Sequence, residues 1–209
     1  MEWDTYEWAL RMFRVNDIFY SLQGEGANVG RAAVFIRFAG CNLRCSFCDT
    51  EFESFRDMTA DEIMQAIAPF ESRFVVLTGG EPTIQVDEAF VDLLHAHGYE
   101  VAMESNGTLP APRNLDWLTV SPKRPIKKGW GSEAKRPDEI KIVFTSAEDI
   151  ETICSSIELT SIGATLYLQP CDTGDAEQNR RIVASCVDYI KRHPEWRLSL
   201  QTHKLIGIE

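Results

Sequence analysis

The sequence predicts an α/β fold in the form of a partial, open (β/α) barrel with few helices. Short runs of branched and aromatic residues recur along the chain, and helical patterns separate several of them. Strands that alternate with helices pair in parallel through right-handed crossovers. Two intervals lack a helical pattern, and the 209 residues fall short of a complete eight-fold barrel, which takes roughly 250. We therefore expect one domain spanning residues 1–209.

Seven runs have the composition of buried strands. They are AVFIRF (33–38), FVVLTG (74–79), YEVAMES (99–105), WLTVS (117–121), IKIVF (140–144), TLYLQ (165–169) and WRLSLQ (196–201). The helix-poor intervals follow the third run, as NGTLPAPRNLD, and the fourth run, as a polar stretch rich in Lys and Pro. The first dozen residues, 1–12, are acidic and contain Trp, and we expect them to be an appendage.

Four segments have the apolar spacing of amphipathic helices. The first begins with a capping box, formed by Thr59 and Glu62. The second, around residues 86–98, stops at Gly98, a residue suited to the left-handed cap. The other two are expected near 147–157 and 175–193.

The charge balance limits the kind of partner. The chain has 32 acidic residues against 21 basic ones and a net charge of -11, whereas nucleic-acid and membrane-surface binders need a basic face. A small-molecule substrate fits better. No apolar run approaches the roughly 18 residues of a membrane span, and the acidic start is unlike a signal peptide. We expect a cytoplasmic protein.

Three of the six cysteines share one loop, GCNLRCSFCDT at 40–50. Structural zinc takes four ligands, and the only close histidine pair, His95 and His97, falls at a helix end. Three cysteines fit a 4Fe–4S cube that leaves one iron open for another molecule. Cys154 and Cys186 lie on the apolar stripes of helices, and Cys171 follows a strand end; all three are expected to be structural.

The spacing C-x3-C-x2-C, with Phe47 before the last cysteine, resembles the signature of radical S-adenosylmethionine (SAM) enzymes. The resemblance implies that Cys41, Cys45 and Cys48 bind the cluster. It also implies that SAM occupies the open iron and is split there to give a 5'-deoxyadenosyl radical. LTGGEP, at 77–82, resembles the family's second motif, whose backbone receives the methionine end of SAM.

Polar residues also follow the later strands, on one rim of the predicted sheet, where such folds place their sites. Glycine suits the second motif because it allows close approach of the backbone to a ligand. The expected cofactor-binding residues are Phe47, Gly79, Gly80, Glu81, Ser105, Ser121, Lys123 and Gln169.

The stretch DIFYSLQGEGANVGRAAVFIRFAGCNLRCSFCDT resembles the 7-carboxy-7-deazaguanine synthase family, and the likeness continues through GGEP, ESNGT, SPK, LQP and THK. It implies a carbon–nitrogen lyase of queuosine and 7-deazapurine biosynthesis. The enzyme would contract the ring of 6-carboxy-5,6,7,8-tetrahydropterin with loss of ammonia. The resemblance also implies a homodimer, a magnesium ion and an electron-donor protein such as a flavodoxin.

Carried over position by position, the resemblance assigns the substrate contacts. Gln23 and Glu25 would meet the hydrogen-bonding edge of the pterin, and Arg37 would pair with its carboxylate. Thr50 would help to hold the magnesium ion. Glu104 would accept from the guanidine-like face, and His203 would close the pocket from the last strand. The full substrate-binding set is Leu22, Gln23, Gly24, Glu25, Arg37, Thr78, Glu104, His203 and Glu209.

Two alternatives remain at this stage. A glycyl-radical enzyme activase is another short radical SAM enzyme, but its members lack the combination of SLQGEG and CDT found here. A ferredoxin-like carrier or a zinc-binding interaction module would not require the GGEP segment.

Overall fold

The computed structural model describes residues 11–48, 50–51, 53–125, 135–155 and 163–208. Its strands are β1 (Met12–Leu22), β2 (Ala32–Phe38), β3 (Arg56–Thr59), β4 (Phe74–Gly79), β5 (Glu100–Ser105), β6 (Trp117–Val120), β7 (Glu139–Phe144), β8 (Thr165–Pro170) and β9 (Trp196–Leu198). They form one nine-stranded sheet in the order β3-β1-β2-β4-β5-β6-β7-β8-β9. The strands from β2 to β9 in this order, which correspond to the seven predicted runs, pair in parallel. The open (β/α) architecture is therefore confirmed.

The helices are α1 (Ala60–Ile67), α2 (Glu88–Ala96), α3 (Ala147–Cys154), α4 (Ala176–Arg192) and α5 (Thr202–Ile206). The capping box of α1 is present, since the Thr59 hydroxyl accepts from the Glu62 amide and the Glu62 carboxylate accepts from the Thr59 amide. No helix lies between β5 and β6, and none is found in the described part of the chain between β6 and β7. The first helix-poor interval agrees with the prediction, and the second agrees as far as the structure describes it.

The sheet has two strands that the sequence analysis did not predict. β1 runs antiparallel to β2, and β3 runs antiparallel to β1. Met12 pairs with Thr59, and Arg11 donates to the carboxylate of Asp87. The described end of the segment 1–12 is thus part of the fold, and residues 1–10 lie outside the described residues.

Helices α1 to α4 cover one face of the sheet. α1 and α2 pack on β1, β2, β4 and β5 around Phe13, Ile36 and Phe90, and α3 and α4 pack on β7, β8 and β9 around Ile142 and Phe144. The opposite face, called here the inner face, has a smaller apolar cluster. Its buried members are Ala33, Phe35, Phe74, Val76 and Ala102. Among the described residues, no helix is long and apolar enough to cross a membrane.

Strand periodicity decides which residues reach the inner face. In β2, Ala33 and Phe35 belong to the inner cluster, so Arg37 follows them two residues further on. In β7, Ile140, Ile142 and Phe144 enter the helix-covered core, which leaves Glu139, Lys141 and Val143 for the inner face. The inner face is therefore apolar where β2 and β4 begin, and it is polar towards the end of β2 and along β7.

Candidate active site

Two neighbouring cavities lie at the carboxyl ends of the parallel strands. The first, called here the cysteine cavity, has a volume of about 220 Å³ and contains Cys41, Cys45 and Cys48 in its lining. The second, called here the arginine cavity, has a volume of about 280 Å³ and contains Arg37. The two share the lining residues Glu25, Thr50, Thr78, Glu104 and Gln201. Ligands bound in the two cavities would therefore be in contact or nearly so.

The start of the cysteine loop is fastened to the Gly-Gly-Glu segment after β4. The Gly80 amide donates to the Phe38 carbonyl at 2.9 Å, and the Glu81 amide donates to the Gly40 carbonyl at 2.9 Å. A β-carbon added at Gly80 would lie 2.0 Å from the Gly40 oxygen, which no real contact allows. Glycine is needed at position 80 because two backbone segments approach each other there.

Asn106, directly after β5, is a second attachment of the cysteine loop. Its amide nitrogen donates to the Asn42 side-chain oxygen at 3.0 Å and lies 3.9 Å from the Cys41 sulfur. Asn42 in turn donates to Thr108 at 2.7 Å. The Leu43 amide also donates to the Cys41 sulfur, at 3.4 Å. Cys41 is therefore oriented by donors that would also stabilise a metal-bound thiolate.

Glu81 was expected to contact the cofactor, but it is fully buried and absent from the described lining of both cavities. Its carboxylate accepts from Thr83 Oγ1 at 2.6 Å, Ser105 Oγ at 2.8 Å and the Asn106 amide at 2.7 Å. These bonds tie the end of β4 to the end of β5. The Glu81 side chain thus positions its neighbours, and only its backbone approaches the cysteine loop.

The other expected cofactor residues do line the cysteine cavity: Phe47, Gly79, Gly80, Ser105, Ser121, Lys123 and Gln169. Lys123 donates to Ser121 Oγ at 2.6 Å and lies 5.7 Å from the Phe47 ring centre. Burial lowers the pKa of Lys123, and burial also raises the pKa of the Cys45 thiol, with the charge of Lys123 opposing that rise.

The donor set fits an iron–sulfur cube. All three thiols are free and line one cavity. In the described part of the chain, no group of three or more His, Cys, Asp or Glu side chains converges closely enough to hold a single metal ion. A four-iron cube instead takes each cysteine on a different iron, so its ligands stand apart around one space.

Arg37 provides a cation on the wall of the arginine cavity. Its guanidinium carbon lies 5.0 Å from the centre of the Phe19 ring, and Phe19 stacks on Phe35 with 4.8 Å between ring centres. Neither ring neutralises its charge, and no carboxylate among the described residues forms an ion pair with it within 4.0 Å. The guanidinium is free to form a bidentate pair with a carboxylate ligand.

A network of buried polar groups joins the two cavities. Lys141 donates to the carboxylate of Glu25 and lies 3.5 Å from Glu104 Oε1. Gln23 donates to Glu104 Oε1 at 3.0 Å, and Gln169 donates to Glu25 Oε1 at 3.0 Å. Burial opposes ionisation of Glu25, but the charge and hydrogen bond of Lys141, together with smaller effects of Gln201 and His203, outweigh it, so the pKa of Glu25 lies below its usual value.

His203 lines the arginine cavity from α5, and the expectation that it belongs to the last strand is wrong. β9 ends at Leu198, and the following segment turns back over the SLQGEG segment. Thr202 donates to the Gly24 carbonyl through its amide at 3.0 Å and its hydroxyl at 2.8 Å. A β-carbon at Gly24 would lie 2.1 Å from His203 Nδ1, so a residue with a side chain would displace the imidazole.

The structure brings the expected substrate residues together. Leu22, Gln23, Gly24, Glu25, Arg37, Thr78, Glu104 and His203 all line the arginine cavity, and Thr50 lines both cavities. Glu209 lies outside the described residues. The sequence analysis missed Lys141, although a lysine inside the otherwise apolar run IKIVF was a signal. It also missed Phe19, for which the sequence offered no such signal.

The fold and the site together define a radical SAM enzyme: an open parallel sheet with a three-cysteine loop beside a Gly-Gly-Glu segment at its carboxyl edge. Residues 35–121 match the Radical SAM superfamily.

Similar proteins show to which family of radical SAM enzymes the chain belongs. A 7-carboxy-7-deazaguanine synthase of Bacteroides thetaiotaomicron is 48% identical, over 94% of this chain and 99% of the relative. The 7-carboxy-7-deazaguanine synthase of Bradyrhizobium diazoefficiens is 42% identical, also over 94% of this chain and 99% of the relative. The crystal structure of QueE from Escherichia coli superposes with a TM-score of 0.78 at 27% identity, covering 97% of this chain and 100% of the other. The chain belongs to the 7-carboxy-7-deazaguanine synthase family.

Proposed function

We propose that this protein catalyses the radical-mediated ring contraction of 6-carboxy-5,6,7,8-tetrahydropterin to 7-carboxy-7-deazaguanine, with loss of ammonia. Its relatives bear the name of this activity. The observation that carries the proposal is the arginine cavity, in which Arg37 faces a space beside the three-cysteine cavity with no carboxylate partner among the described residues. These features favour the synthase over a glycyl-radical activase and over a carrier or zinc module.

Cys41, Cys45 and Cys48 are proposed to hold a 4Fe–4S cluster, and SAM to lie beside it against Gly79, Gly80, Ser105, Ser121, Lys123 and Gln169. When bound, the cluster and SAM supply a carbon-centred radical that takes a hydrogen atom from the substrate. Phe47 and Leu43 supply apolar surface at the cavity, which reduces the access of water to this chemistry.

The residues of the arginine cavity orient the pterin. Arg37 binds the substrate carboxylate through two parallel hydrogen bonds, a geometry suited to a planar guanidinium. Glu25 and Glu104 accept from the amino and ring N–H groups of the pterin, and Gln23 fixes Glu104. Leu22, Gly24, Thr78 and His203 complete the walls. Fixed in this way, one C–H bond of the substrate faces the cysteine cavity.

A magnesium ion is proposed to be held by Thr50 together with oxygens of the substrate and water. The position of Thr50 in both cavity linings supports this, because an ion there would lie between the cofactor and the pterin. Magnesium prefers oxygen ligands and keeps several waters, so a site with one threonine hydroxyl from the protein agrees with its coordination chemistry.

The protein is further proposed to be a cytoplasmic homodimer that receives electrons from a reducing protein such as a flavodoxin. Cys41, Cys45 and Cys48 are free thiols, as expected for a reducing compartment. Cys48 and Phe47 are exposed, so one side of the cysteine loop is open to a donor protein. Apolar side chains exposed near the C-terminus support self-association.

The experiment is anaerobic reconstitution with iron and sulfide, followed by reduction and addition of SAM and carboxytetrahydropterin. Wild-type protein should bind about four irons, as a 4Fe–4S cube requires, and form the deazaguanine acid. The Cys45→Ala variant should lose cluster and turnover. Cys154→Ala, which changes a half-buried thiol on α3 away from both cavities, should keep both.

Two results would overturn the proposal. One is wild-type protein with a complete reduced cluster that cleaves SAM but leaves the pterin unchanged. The other is a Cys45→Ala variant with a full cluster and normal turnover.

A further inference from the structure

Lys141 is a buried cation beneath the boundary between the two cavities. It lies in the middle of β7, opposite Tyr167 of β8, and is 4% exposed. Its ammonium nitrogen forms ion pairs with Glu25 and, at 3.5 Å, with Glu104. Among the residues that the structure describes, these two carboxylates have no other ion-pair partner within 4.0 Å. Both belong to the walls shared by the two cavities.

The surroundings of Lys141 are charged on several sides. Glu25 faces it from the turn after β1, Glu104 from β5, and Glu139 from its own strand. Lys123, after β6, opposes it, and the charge of His203 on α5 acts on Glu25. Burial disfavours the charged form of Lys141, but the three carboxylates outweigh burial and raise its pKa. Lys141 is thus a permanent charge in the working pH range.

A carboxyl group accepts hydrogen bonds from a ligand most strongly when it is ionised and held in one orientation. Glu25 reaches this state in a buried site where its own desolvation would raise its pKa. Its remaining hydrogen bonds come from neutral amides, Gln169 at 3.0 Å and Gln201 at 3.1 Å. The Gln201 hydrogen bond also lowers the pKa of Glu25, but Lys141 is the cation paired with this carboxylate and contributes more to the lowering.

We propose that Lys141 is the positioning residue of the substrate site: it pairs with Glu25 and Glu104 and holds both side chains aimed at the N–H groups of the pterin. The inference rests on the proposed function, since the ligand is its substrate. Lys141 lines the cysteine cavity but not the described arginine cavity, so its influence on the arginine cavity passes through Glu25 and Glu104, which line both.

The test compares Lys141→Met and Lys141→Arg with the wild-type holoenzyme, reconstituted anaerobically with its cluster. Carboxytetrahydropterin binding is measured by calorimetry without reductant, at a series of pH values. Hydrogen bonds to ionised groups contribute about 1.5–3 kcal/mol, so Lys141→Met should bind the pterin roughly tenfold to hundredfold more weakly at neutral pH. Lys141→Arg retains the charge and should recover part of the affinity.

The pH dependence separates positioning from a merely structural role. Without Lys141, only the smaller effects of Gln201 and His203 oppose burial, so the pKa of Glu25 should rise and the loss of binding on acidification should begin at higher pH than in wild type. Iron content should stay unchanged, because Lys141 is not a cluster ligand. Lys135→Met is the matched control, because it breaks a lysine–aspartate pair (3.2 Å) outside both described cavities.

Each outcome has one reading. If wild type binds and converts the pterin while Lys141→Met shows the same affinity and pH profile, the role of Lys141 is refuted and the proposed function stands. If wild type with a complete cluster neither binds nor converts the pterin, the proposed function fails. Should Lys141→Met not fold, the Lys141→Arg variant tests the proposal. If its pterin binding depends on pH as in wild type, the role of the Lys141 charge is supported. If its binding is lost at higher pH than in wild type although the charge is retained, that role is refuted.

Discussion

Arg31 and Arg37 stand at the two ends of β2 and have different surroundings. Arg31 donates to Glu100 at 2.9 and 2.7 Å and lies 3.7 Å from the Phe74 ring centre, so its charge is neutralised within the protein. Arg37 has the Phe19 ring at 5.0 Å and a cavity in front of it. The same residue type is therefore structural at one end of the strand and available to a ligand at the other.

Arg37→Lys should raise the Kd and KM for the pterin at least tenfold, because an ammonium keeps the charge but loses the planar two-point pairing. Arg37→Ala should lose about 1.5–3 kcal/mol of binding, or more. Equilibrium binding and steady-state kinetics measure both. Arg31→Lys is the matched control and should leave both constants unchanged. Unaltered pterin affinity in Arg37→Ala would contradict the assignment.

For single residues, the sequence predicted the role well where the residue type itself determines the chemistry. It predicted the role less well where burial determines what the side chain contacts. The three cysteines and Arg37 were identified from motifs, and they line the cavities. Glu81 belongs to the same motif, yet its carboxylate is used within the protein, which depends on three-dimensional neighbours such as Ser105. Lys141 was passed over because IKIVF has the composition of a buried strand.

At the scale of elements, the connection between β4 and the cysteine loop depends on backbone proximity. Gly80→Ala should displace the loop, because the new β-carbon would lie 2.0 Å from the Gly40 oxygen and neither partner is a flexible side chain. Overpacking of this kind costs about 1–3 kcal/mol. The iron content after reconstitution should fall clearly below that of wild type.

Gly98→Ala is the control for this substitution. Gly98 has a positive φ of 79° at the end of α2, with no atom within 4 Å of the added carbon. Its substitution should lower the melting temperature by left-handed strain and leave iron uptake intact. If Gly80→Ala took up a full cluster, the loop would not depend on this contact.

Buried strands were predicted from the sequence more reliably than the strands at the edge of the sheet. The seven parallel strands were found because strands covered by helices have nearly continuous apolar runs. β1 was missed since its eleven residues mix polar and apolar types, and β3 (Arg56–Thr59) is a polar edge strand. The residues after Leu198 were assigned to a strand, because nothing local in SLQTHK shows that Thr202 bonds to Gly24 and starts a helix.

At the scale of the whole molecule, the C-terminal segment is distinctive. Leu205 and Ile206 on α5 are 72% and 62% exposed, and Leu198 and Leu200 are each 38% exposed. A helix of five residues has little stability of its own, so its position depends on tertiary contacts. The same helix carries His203 into the arginine cavity. A partner molecule that covers the apolar side chains would also fix a wall of the substrate site.

The double variant Leu205→Asp/Ile206→Asp should therefore convert the proposed homodimer into a monomer and weaken pterin binding, while cluster content stays at the wild-type level. Sedimentation velocity measures the first effect, calorimetry the second and iron analysis the third. Leu109→Asp, which changes a side chain 40% exposed after β5, is the control and should remain dimeric. Because the chain has a net charge of -11, raising the salt concentration should favour association by screening repulsion between copies. The contradicting result is a wild-type protein that converts the pterin but sediments as a monomer at micromolar concentration and at every salt concentration. It would show that contacts within one chain hold α5 in place and that the second copy is unnecessary.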